Sequence, residues 1–166
     1  MKKLFSTLII GMIILTLIIS CKKKKDIQEE IIGSMKATID STAWEAQEPV
    51  GKIQDGFLVI SGLRLIGGVK QSIVLSVNSA ATGTYNLNKD PLHPPVTTNT
   101  AIYSPNADST TNNPVKYTYT AYSGSIVVSS TASNRASGTF EFKCANSSAD
   151  TIHVTSGVFN NIYYLN

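Results

Sequence analysis

Four side chains of the kinds that attack substrates or bind metals stand out, namely Cys21, Cys144, His93 and His153. A zinc site needs three or four such ligands brought together, and these four are scattered without a ligand spacing. A nucleophilic cysteine needs a base nearby, and His153 is the closest to Cys144 in sequence. The alternation of apolar residues puts Cys144 on the inner face of its strand and His153 on an outer face. We therefore predict a buried Cys144, no catalytic residue, no metal site and no cofactor.

Two pairs of carboxylates could serve acid–base hydrolysis, Glu29 with Glu30 and Glu45 with Glu48. A glycosidase needs two carboxylates on either side of the scissile bond, and neither pair has a supporting motif. The sequence also lacks a nucleophile elbow, a phosphate loop and a metalloprotease motif. It therefore predicts a protein that is not an enzyme, with a hydrolase as the least favoured alternative.

Cys21 stands at the end of an export signal. Lys2 and Lys3 precede the apolar run Leu4–Ile19, which is shorter than the about 20 residues that span a bilayer. Ile18-Ile19-Ser20-Cys21 resembles a bacterial lipobox, where a diacylglyceryl group is added to the cysteine thiol and cleavage then frees its amine. We predict a lipoprotein signal peptide over residues 1–20 and lipidation of Cys21. An uncleaved membrane helix is the alternative.

The basic charge of the chain is concentrated near this anchor. Lys22–Lys25 predict a solvated, lipid-anchored tether over residues 21–33 that also contacts anionic headgroups. Without these lysines and the two in the signal, 8 Lys/Arg remain against 11 Asp/Glu, although the whole chain carries +3. The predicted partner is thus a membrane, bound through the N-terminal lipid, and nucleic acid is not expected to bind the slightly acidic body.

Strand patterns fill the chain after the tether. Phe140, Phe142 and Cys144 alternate with Glu141 and Lys143, as in a half-buried strand. Turns rich in Ser, Asn, Asp, Gly and Pro separate the strands, and no helical periodicity is sustained. We predict strands over 35–40, 56–65 with a bulge at Gly62, 71–78, 83–87, 101–103, 116–122, 125–129, 138–144 and 151–159. Residues 34–166 are therefore predicted to be one all-β domain, a single antiparallel β-sandwich or barrel-like domain.

Several short motifs are spread over this domain. A Ser-Gly-x-apolar pattern recurs at residues 123–126, 137–140 and 156–159, and we interpret it as the start of successive strands. Together with Met35–Asp40, Trp44, Ile60–Gly62 and Gly83–Leu87, these motifs resemble a Bacteroidetes lipoprotein family, the DUF6252-like group, a domain of unknown function. The resemblance covers about Ser34 to Tyr163. It implies a fold and a location in the cell envelope, and it implies no activity.

The position of the anchor predicts attachment to the outer membrane. Lysines followed by acidic residues after the anchoring cysteine resemble surface-export signals of Bacteroidetes lipoproteins, which would place the domain on the cell surface, and the sequence leaves the face of the membrane undecided. A periplasmic face is the alternative. Ser41, Ser109 and Thr151 each follow an aspartate in a pattern that resembles the O-glycosylation sequon of exported proteins from that group, so they are candidate acceptors.

Aromatic side chains give the only direct indication of a binding surface. Trp44, Tyr103, Tyr117 and Tyr119 could form a platform for sugar rings or a patch for a partner. Cross-strand packing in the core is the alternative, because tyrosine is common in strands. We expect a non-enzymatic binding or assembly module for a glycan, a small ligand or an envelope protein. A structural or surface-coat lipoprotein without a discrete ligand is the alternative.

Overall fold

The structure, a computed structural model, describes residues 32–87, 99–107 and 117–165. Within these ranges no helix is both long and apolar enough to cross a bilayer. Ile32–Asn166 form one compact unit, and a unit with its own core can fold independently of what precedes it. The predicted signal peptide, the predicted lipidation site Cys21 and most of the predicted tether fall before Ile32, outside the described residues.

Ten strands run through the described residues, and a single 3-10 turn, Ala132–Asn134, joins the eighth to the ninth. The strands are β1 (Ser34–Ile39), β2 (Thr42–Glu45), β3 (Val50–Gln54), β4 (Phe57–Ile66), β5 (Val69–Val77), β6 (Gly83–Asn86), β7 (Thr100–Ser104), β8 (Tyr119–Ser130), β9 (Arg135–Ala145) and β10 (Thr151–Leu165). The predicted all-β domain is confirmed.

Seven of these strands close into a barrel, in the order β3-β4-β5-β7-β8-β9-β10 and back to β3. Every ladder in it is antiparallel except the last, in which β10 runs parallel to β3. That closing ladder has two residue pairs, Tyr164 with Gly51 and Leu165 with Lys52. Of the two architectures left open by the sequence, the barrel is the one adopted.

The remaining strands add to the outside of the barrel, β1 and β2 as a hairpin beside β10 and β6 beside β8. The residues after β2 reach across to β4, where Gln47 N–H donates to the Leu63 carbonyl at 2.8 Å. The prediction of a bulge at Gly62 is wrong, because Gly62 pairs regularly with Ile73. A Cβ at Gly62 would lie 2.7 Å from Met35 Sδ and 2.9 Å from Trp44 Cη2. The glycine is there to let the β1–β2 hairpin pack against β4.

The interior of the domain is apolar. Alternate residues point inward along β9, as the period of two in its sequence predicts. Along β10 the alternation is interrupted twice, between Val154 and Gly157 and between Phe159 and Ile162. The largest fully buried side chains include Trp44, Phe159 and Met35, and no polar or charged residue of the described ranges is buried. Burial of this apolar surface is the dominant contribution to folding.

The Ser-Gly-x-apolar motifs lie inside strands, so the interpretation as strand starts is wrong. Gly124, Gly138 and Gly157 pair across the ladders with Phe142, Phe159 and Phe140 respectively. A Cβ on Gly138 would lie 2.5 Å from the ring of Phe159, and one on Gly157 would lie 2.5 Å from the ring of Phe140. Each glycine therefore leaves space for a phenylalanine on the neighbouring strand.

Candidate functional site

A groove of about 180 Å³ opens on the outer face of β8, β9 and β10. Its volume is about that of six waters, which is smaller than a drug-sized pocket. The lining residues come from three adjacent strands and are Ser123, Gly124, Glu141, Phe142, Lys143, His153, Val154 and Thr155. The groove is thus built on a rigid sheet and not on loops.

Cross-strand register sets the side chains at the rim. Ser123, Lys143 and His153 are direct neighbours on β8, β9 and β10, so their side chains point outward side by side. Phe142 and Val154 point into the core and are buried. The floor of the groove is therefore largely backbone.

Local irregularities in β8 and β10 shape this surface. The register shifts between Ala121 and Ser123 on β8, and between Val154 and Gly157 on β10. Such bulges bend a strand and redirect its side chains. Gly124, at φ +125°, lies so close to β9 that a Cβ there would be 2.6 Å from the Phe142 Cα. The missing side chain and the two bulges together leave the depression between the strands.

The chemistry of the rim is polar and close to neutral in charge. Lys143 and Glu141 are both exposed and carry opposite charges, and His153 and two hydroxyls add donors and acceptors. In the described ranges no group of three His, Cys, Asp or Glu side chains could hold a metal ion. The arrangement is suited to hydrogen bonding with a small polar ligand.

Cys144 lies on the other side of the same sheet, fully buried. Its thiol donates to the Ile152 carbonyl at 3.5 Å. Burial raises the pKa of Cys144 to about 12, and the Asp40 carboxylate adds to the rise. His153 is exposed on the opposite face, so the two side chains do not meet, as their alternation predicts.

The four aromatic residues proposed as a binding patch do not form one surface. Trp44 and Tyr103 are 2% and 4% exposed, because both point into the core, and this corrects their assignment to a platform. Tyr119 is half-buried, with its ring centroid 6.2 Å from that of Tyr103. Tyr117 is the exposed member of the four, at 38%. The alternative of core packing therefore describes Trp44 and Tyr103.

Two of the three candidate acceptors for O-glycosylation have exposed side chains, Ser41 in the β1–β2 turn and Thr151 at the start of β10. Ser41 has a φ of 70°. The neighbouring Asp40 carboxylate accepts from His153 N–H at 2.9 Å, which holds this turn against the first residues of β10. Ser109 lies outside the part of the chain that the structure describes.

Two features were missed from the sequence. The first is the groove: its residues on β9 alternate in sequence with core residues, and this pattern predicts that they face outward but does not predict a groove. The strand β5 begins earlier than predicted, and β4 and β5 meet at a two-residue Gly67-Gly68 turn. This hairpin carries the exposed side chains of Leu65, Ile66 and Val69. A run of apolar residues around two glycines was the signal that could have revealed it.

Among curated proteins and among solved structures, none matches the chain. A family model does match, over residues 32–163, and its description is Domain of unknown function (DUF6252). The match runs from just before β1 to Tyr163, two residues before the end of β10. On this match, the chain belongs to the DUF6252 family of domains of unknown function.

Proposed function

We propose that the chain is a lipid-anchored protein of the bacterial cell envelope, of the Bacteroidetes lipoprotein type, whose β domain is a non-enzymatic binding or assembly module. The export signal and Cys21 support the anchor, and the outer membrane is the proposed location. The groove on β8–β10 is the observation that carries the binding role. Its partner is a glycan, a small polar ligand or an envelope protein.

The groove supports a polar ligand of about the size of one sugar ring. A backbone floor with hydroxyl, amine, imidazole and carboxylate groups at the rim offers many hydrogen bonds and little net charge. Lys143 and Glu141 can bind opposite ends of such a ligand, because they project from the same face of β9. Bulges at both sides fix the spacing of the rim without a ligand.

A structural or surface-coat lipoprotein is the second candidate, and the apolar packing of the barrel supports it. Large side chains, including Trp44 and Phe159, occupy the interior. Neither proposal therefore places a ligand inside the barrel, as lipocalins do. A hydrolase is the third and least supported candidate, since the buried Cys144 thiol faces away from His153.

A glycan array with residues 32–166 tests the binding role, with Lys143→Ala as the key variant. Loss of one charge-assisted hydrogen bond should weaken binding about tenfold. Lys52→Ala is the matched control, because Lys52 is an exposed strand lysine on β3. Absence of any bound glycan would favour the structural candidate, and equal losses in both variants would contradict a site at the groove.

The anchor has its own test. Metabolic labelling with a fatty-acid analogue should mark the wild-type chain and fail for Cys21→Ala. Labelling of that variant would refute lipidation at this cysteine. Protease shaving of intact cells then separates the surface from the periplasm, because only a surface domain is cut before the cells are lysed.

A further inference from the structure

The β4–β5 hairpin ends in an apolar tip, which we define as Leu65, Ile66 and Val69 around the Gly67-Gly68 turn. These three side chains are 47%, 45% and 42% exposed. Ile66 pairs directly with Val69 across the turn. The ladder with β7 begins at Ser72, and the Ala107 N–H still donates to the Lys70 carbonyl at 2.6 Å, so the turn beyond Lys70 is the part that extends past this neighbour. A cluster of aliphatic side chains on a projecting turn is a mark of an interaction site.

Positive charge accompanies the tip. Arg64 and Lys70 flank it, and the sequence contains no Asp or Glu between Asp55 and Asp90. The Arg64 guanidinium donates to the Ala43 carbonyl at 2.7 Å, which holds it beside the hairpin. A basic segment on a slightly acidic body is complementary to an anionic surface.

The tip lies close to the start of the domain. Ala46 N–H donates to the Met35 carbonyl at 2.9 Å, and Gln47 N–H donates to the Leu63 carbonyl at 2.8 Å. Leu65 N–H in turn donates to the Gln47 side chain at 3.2 Å. Two consecutive residues therefore connect the beginning of β1 with the hairpin.

The length of the chain before Ile32 limits how far the domain can lie from a lipid on Cys21. The eleven Cα–Cα steps from Cys21 to Ile32 span at most about 40 Å when extended. A lipid on Cys21 would therefore keep the tip within reach of the membrane surface.

We propose that the apolar tip of the β4–β5 hairpin inserts into the interface of an anionic membrane, with Arg64 and Lys70 at the level of the headgroups. The hairpin is a second membrane contact, and this inference rests on the proposed envelope location. The two acyl chains of a diacylglyceryl group on Cys21 are enough for stable attachment, so the second contact would orient the domain on the membrane. A protein partner is less suited to the tip, because protein hot spots are rich in Trp and Tyr and the tip is aliphatic.

Sedimentation with vesicles tests the hairpin without the anchor. Residues 32–166 are mixed with vesicles of phosphatidylcholine alone or with added phosphatidylglycerol. The domain should sediment with the anionic vesicles, and salt should weaken binding by screening. Replacing two aliphatic side chains in Ile66→Ser/Val69→Ser should reduce binding about tenfold. Val158→Ser is the matched control, because Val158 is 45% exposed on β10, and it should change binding less than twofold.

Fluorescence gives a second readout. Trp44 is the single tryptophan of the chain and is buried, so Ile66→Trp adds a fluorophore whose emission should shift to the blue when anionic vesicles are added. Val158→Trp should show no shift. The proposal would be overturned if the domain sedimented with neither vesicle type. It would also be overturned if the Ser variants of the tip and of Val158 lost equal amounts of vesicle binding. The proteins in both vesicle experiments lack Cys21. A failure there would therefore not contradict the proposed lipid anchor, which fatty-acid labelling tests separately.

Discussion

The burial of Cys144 determines how the only thiol of the β domain behaves. A raised pKa keeps it protonated at neutral pH, and reactivity with alkylating agents requires the thiolate. Burial also raises the pKa values of Tyr103 and Tyr119, which lie in the same part of the core. Proton release from any of these groups is easier in the unfolded chain than in the folded one.

Stability should therefore fall in alkali. Below about pH 7.5 the thiol is protonated in both states, and its contribution is fully present. As the pH rises from there toward about 12, the unfolded chain loses the proton first and is favoured by up to about 1.4 kcal/mol per pH unit. Urea unfolding between pH 7.5 and pH 10.5 measures this slope. Cys144→Ala should have a shallower slope, and an unchanged slope would contradict the role of the thiol.

Within the strands, the glycine–phenylalanine pairs explain why β8, β9 and β10 pack so closely. Gly138 lies opposite Phe159, and its virtual Cβ would be 1.9 Å from the Val127 carbonyl oxygen. No small movement of a side chain relieves a clash with backbone. The cross-strand pairs thus depend on the absence of a side chain at each of these glycines.

Gly138→Ala should destabilise the domain by about 3 kcal/mol, because overpacking forces the strands apart. Gly56→Ala is the control. Gly56 has open space around it but a φ of +82°, so the substitution should cost about 1 kcal/mol. Chemical unfolding compares the two. Equal losses would show that backbone conformation and not packing governs the glycine positions.

The alternation of apolar and polar residues predicted the strands β9 and β10, and it failed where a bulge interrupts a strand. The predicted strand 138–144 lies within β9, and the predicted strand 151–159 begins with β10. In contrast, the predicted strands 116–122 and 125–129 belong largely to one strand, β8. Its bulge near Tyr122 reverses the alternation, so a period of two breaks in the middle of a continuous strand.

Short strands and the groove depend on partners that are distant in sequence. The strands β2 and β3 have four and five residues, too few for a clear period, and they were not predicted. Lys143 and His153 meet because the turn over residues 146–150 sets the register between β9 and β10, and Ser123 joins them after the register shift on β8. The burial of Trp44 and Tyr103 could not be predicted for a similar reason, because the sequence does not show whether an aromatic residue in a strand faces the core or the solvent.

At the scale of the whole molecule, the end of β10 closes the barrel through one of its two shortest ladders, which has two residue pairs. Tyr164 is 6% exposed, and its hydroxyl donates to the Thr131 carbonyl at 3.2 Å. Tyr163, the residue before it, is 47% exposed and lies against the Arg135 guanidinium at 5.9 Å. The two neighbours face opposite sides of the same strand.

Tyr164→Ala should therefore lower the free energy of unfolding by about 3 kcal/mol or more. Tyr163→Ala should lower it by about 1 kcal/mol or less, since it loses only a surface cation–π contact. Urea unfolding of both variants checks this difference. In the Tyr164 variant, hydrogen exchange should also quicken first at Gly51 and Lys52. Similar losses in the two variants would contradict a closing role for Tyr164.

The parallel ladder between β3 and β10 also sets the order of folding. Gly51 and Tyr164 are 113 residues apart in the chain, so closure of the barrel has a high entropic cost and comes late. A chain that is still being synthesised carries β3 but not β10, and its barrel has no way to close. The barrel thus stays open while its first strands emerge, and the export proposed for this chain would let it cross a membrane before closure.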